Sequence, residues 1–110
     1  MKSFLKISAA MFILFLLPIS QVHALTPVDI ELSLLVDVSS SVNSTEFNLQ
    51  KQGYANAFTN ASIISAIESG AHGAIAVSLT YWSSSNHQVV AVDWTLINDT
   101  ASATGFIKSG

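Results

Sequence analysis

The sequence predicts a layered α/β protein, and three observations carry that expectation. An apolar run with strand alternation, residues 28–36, leads within a few residues into a capped helical pattern. Two further alternating runs, 73–82 and 87–97, lie either side of a short polar turn. The resulting order is strand, helix, short helix, strand, strand, helix, which suits helices laid on a sheet better than an all-α or all-β architecture.

Each element has its own signal. In the first strand Ile30, Leu32, Leu34 and Val36 fall on one face, and Leu35 adds apolar character on the other, so its end is expected to be buried on both sides. Asn43 and Glu46 form a capping box, and the helix they open turns Phe47, Tyr54, Ala57 and Phe58 inward, with Gln50 or Lys51 contributing their stems. A second helix follows from Asn60, with Ile63, Ile64 and Ile67 inward and Gly70 as its stop. In the next strand Ile75, Val77, Leu79 and Tyr81 alternate with smaller residues. Residues 83–86 are turn material, and Val90, Val92, Trp94 and Leu96 are expected on one face of an antiparallel partner. Asp99 or Asn98 caps a last helix containing Phe106 and Ile107. Trp82 and Trp94, within strands and among apolar neighbours, are expected to pack in the core or on the sheet.

Residues 1–24 read as a secretory signal rather than fold. Lys2 and Lys6 precede an apolar run at 7–17 that is too short to span a bilayer comfortably, and Val22-His23-Ala24 offers a cleavage point. Residues 25–110 are then the folded domain, periplasmic or secreted, with no stable membrane anchor after cleavage. Beyond Ala24 only Lys51 and Lys108 face all seven acids of the chain, so nucleic acid is a poor partner. The absence of cysteine excludes a disulfide framework, a thiolate metal site and a lipidated cysteine, and leaves stability to packing.

The residues that point to function stand where the first strand ends. Asp37, Ser39 and Ser41 gather a carboxylate and hydroxyl oxygens at the carboxyl end of a strand, the place where ligands bind in open α/β sheets. Oxygen donors suit magnesium, calcium or manganese, and the loop holds no histidine that would favour zinc. The same residue types also cap helices and close turns through hydrogen bonds alone. A phosphotransfer role for Asp37 is a third reading. Aspartyl phosphatases resemble a pattern with a second aspartate two positions on, where this chain has Ser39. No nucleophile elbow, phosphate-cradling loop or dinucleotide fingerprint occurs, and His72 and His87 are expected at the surface, without an orienting acid.

The stretch LLVDVSSSV resembles the opening of the von Willebrand factor type A domain, whose metal-ion-dependent adhesion site begins with DxSxS at the end of its first strand. The longer stretches LLVDVSSSVNSTEFNLQKQGYANAF, GAIAVSLTYWSS and VVAVDWTLINDTASATGFI resemble a bacterial exported family of unknown function with that type of fold. The resemblance implies a doubly wound, mixed but mostly parallel sheet of Rossmann-like kind, with helices on both faces. It also implies a divalent cation, Mg2+ or else Ca2+ or Mn2+, on Ser39 and Ser41, with Asp37 acting directly or through water, and a protein partner whose acidic group completes the coordination. The family pattern adds a threonine and a second aspartate from later loops, which this sequence lacks. Asp99 and Thr100 are expected at the opposite end of the sheet. The chain is therefore expected to be roughly the first half of such a domain, its first strand an open edge and its cation affinity weak. The expected function is a non-enzymatic, adhesion-type binding module, with a metal-free structural domain as the alternative.

Overall fold

The computed structural model describes residues 25–110; the expected signal segment, residues 1–24, lies outside the described residues. Strands β1 (Ile30–Asp37), β2 (Ile75–Ser84) and β3 (His87–Ile97) form one sheet in the order β1-β2-β3. β1 pairs parallel with β2, Ile30 opposite Ile75 and Asp37 opposite Trp82, and β2 pairs antiparallel with β3, Ile75 opposite Ile97. The sheet is thus mixed, with one pairing of each kind. Helices α1 (Ser44–Thr59) and α2 (Ala61–Glu68) connect the parallel pair, and α3 (Thr100–Ser109) follows β3.

The helix starts form as their caps dictate. The Asn43 side chain accepts from the Glu46 amide while the Glu46 carboxylate accepts from the Asn43 amide, both at 2.9 Å. Asn60 ends α1 and caps α2, accepting from Ser62 N, and Asp99 caps α3 by accepting from Ser102 N, each at 2.8 Å. Gly73, at φ +64°, makes the turn into β2 in a conformation that favours glycine.

One core holds the fold together. Leu34 and Val36 of β1, Ile75, Val77 and Leu79 of β2, and Val92 and Ile97 of β3 meet Phe58, Ile64, Ile67, Ala103 and Phe106 from the helices. Phe106 and Phe58 pack as a tilted pair with ring centroids 5.5 Å apart, and Val36, Val77 and Ile97 are fully enclosed. Each such side chain contributes about 1.5–3 kcal/mol by leaving water.

All of this lies on one face of the sheet. Among the described residues the helices cover the side bearing Leu34, Val77 and Val92, where the expected doubly wound arrangement has helices on both sides. Two sequence expectations fail for that reason. The end of β1 is not buried on both sides, since Leu35 is 56% exposed on the rear face. Trp82 and Trp94, expected in packed positions, are 37% and 54% exposed. Within β3, two register shifts against β2, between Val77 and Thr80, break the alternation. Val92 therefore turns into the core, while Val90, Trp94 and Leu96 remain exposed rather than sharing its face. In α2, Ile63 lies at the solvent side of the helix while Ile64 and Ile67 are buried.

Candidate metal centre

Asp37 is the last residue of β1, and the chain turns through residues 38–42 into the α1 cap. The turn is built by the chain's own hydrogen bonds. Asp37 Oδ1 accepts from the Ser39 amide at 2.8 Å, and Val42 N donates to the Ser39 carbonyl at 3.0 Å. The Ser39 and Ser41 hydroxyls lie 3.1 Å apart, either one donating. The structure therefore brings Asp37, Ser39 and Ser41 together at the exposed end of the strand.

The Asp37 carboxyl is held below its ordinary pKa, first by the Ser39 hydroxyl and second by the Ser39 amide, both of which favour the charged form. It is the sole carboxylate of the cluster, and no group of three or more His, Cys, Asp or Glu suited to a metal occurs among the described residues. The donor set is thus one ionised carboxylate and two hydroxyls, oxygen throughout, which fits a hard cation that keeps several waters.

Gln50 of α1 is a supporting residue that the sequence reading placed inward only by its stem. Its side-chain amide closes on the main chain of Asp37 from both sides: Oε1 accepts from Asp37 N at 3.0 Å, and Nε2 donates to Asp37 O at 2.9 Å. One turn on, the Tyr54 hydroxyl donates to Leu35 O at 3.3 Å. β1 is an edge strand, and these two side chains occupy its upper edge as a neighbouring strand would. The available signal was positional: Phe47, Gln50 and Tyr54 recur at helical spacing, so an amide on the inward face two turns after the cap needed a polar partner.

Asp99 and Ser102 provide an internal comparison. The Asp99 carboxyl is also lowered, by the Ser102 hydroxyl and then its amide. There, however, Ser102 Oγ is spent on the cap: it donates to Asp99 Oδ1 at 2.7 Å and accepts from Asn98 N and Asp99 N at 3.0 and 3.1 Å. At the other end of the sheet Asn43 and Glu46 cap α1, so Ser39 and Ser41 are not consumed in that role. Asp99 and Thr100 follow Ile97, which pairs with Ile75 at the start of β2, so they lie far from Asp37, as their place in the sequence predicts. His72 and His87 are both exposed; His87 Nδ1 lies 3.0 Å from Ser84 Oγ in the β2–β3 turn.

Fold and turn together define a small α/β protein that presents an oxygen-lined loop at the end of its first strand. The chain belongs to a family described as a protein of unknown function (DUF1194), whose family model matches residues 27–109. No curated protein and no solved structure matches it.

Proposed function

We propose that this chain is an exported, von Willebrand factor A-like binding module, acting in the periplasm or outside the cell, that holds a magnesium-type cation at Asp37, Ser39 and Ser41 and recognises an acidic group on a partner protein. The observation that carries the reading is the state of the two serines: their hydroxyls meet each other rather than the main chain, beside a carboxylate held ionised. Hydroxyl lone pairs so placed are available to a hard ion, and a partner's carboxylate would complete a set that three protein oxygens leave open. The same count makes the cation affinity weak. The reading is non-enzymatic, since Ser39 supplies no second carboxylate for acid catalysis.

Calorimetric titration of the chain with Mg2+, beside its Asp37→Ala variant, tests the site. Heat in the wild type and none in the variant is expected; equal heats remove the site. A second reading rests on the Asp37 Oδ1 bond to Ser39 N, which makes the turn self-sufficient without a metal. Thermal melts separate the two. A cation at ten times its dissociation constant stabilises the folded state by about 1.4 kcal/mol, whereas a purely structural turn leaves the midpoint unmoved.

A further inference from the structure

We draw no further inference here: the strongest candidate, the apolar notch that Val38, Val42 and Phe47 line beside the Ser39–Ser41 turn, belongs to the site already described, and nothing in the structure shows what covers it.

Discussion

Replacing Gln50 by leucine removes the clamp on Asp37 while keeping most of the side-chain volume. Two hydrogen bonds are lost, at 3.0 and 2.9 Å, and both are partly buried. A net contribution of about 1 kcal/mol for each gives a destabilisation of about 2 kcal/mol, rising toward about 3 if the Asp37 amide and carbonyl find no water in their place. For a domain of this size that corresponds to a melting point lower by about 10 °C. Urea unfolding should show a lower midpoint with an unchanged slope, because the surface exposed on unfolding is the same. Gln50→Glu separates the two bonds. It keeps the acceptor for Asp37 N but sets a carboxylate against Asp37 O, so its loss should be no smaller than half that of the leucine variant. Amide exchange at Asp37 should quicken in both. A loss below about 0.5 kcal/mol for Gln50→Leu, with unchanged exchange, would refute the clamp as an element of the fold and leave it a surface contact that water replaces.

Two further outcomes follow from the same structure. Because the Asp37 and Asp99 carboxyls are lowered in the folded protein, the stability they add is present above the ordinary carboxylate pKa of about 3.9 and is lost as pH falls through their lower folded values. Carboxyl-carbon NMR titration should show both midpoints below that value, and Ser39→Ala should raise that of Asp37 alone; equal movement at Asp99 would contradict the local cause. Phe106→Ala opens a void against Phe58 in the centre of the core and should cost about 3–5 kcal/mol in urea unfolding.

Local chemistry made the helices legible, and tertiary context hid the second face of the sheet. Asn43 with Glu46, Asn60 and Asp99 each announce a helix start because the capping bonds close within three residues. Strand alternation was equally readable in β2, where Ile75, Val77 and Leu79 are buried as their spacing predicts. It failed in β3. Each of the two bulges costs little locally and leaves no mark in the hydrophobic pattern, and the second offsets the first, so Val90, Trp94 and Leu96 keep a common face while Val92 between them turns to the other. The rear face was misread for a related reason. An apolar residue in a strand signals a face that something covers, and Leu35, Trp82 and Trp94 carry that signal without the cover lying among the described residues. At the site, the proximity of Asp37, Ser39 and Ser41 was legible from their i, i+2, i+4 spacing in a turn. The Gln50 clamp was not, because it joins residues 13 apart across the strand–helix fold.

The clamp also bears on how the turn works. From Asp37 the chain passes through Ser39, is capped at Asn43 and Glu46, and after less than two turns of α1 returns Gln50 to the main chain of the residue where it began. The lap is closed by the protein itself, so the oxygens of Asp37, Ser39 and Ser41 are gathered before any cation arrives. On the proposed reading, a cation entering such a turn would spend little of its binding free energy on ordering the chain, and three weak donors would then suffice to hold it. If pre-organisation matters, Gln50→Leu should weaken Mg2+ binding although Gln50 lies outside the ligand set, and it should do so at temperatures well below the melting point of the variant, where the fold is intact. Unchanged Mg2+ heats in a folded Gln50→Leu protein would mean that the loop assembles around the ion, and that the bonds between Gln50 and Asp37 serve the sheet edge alone.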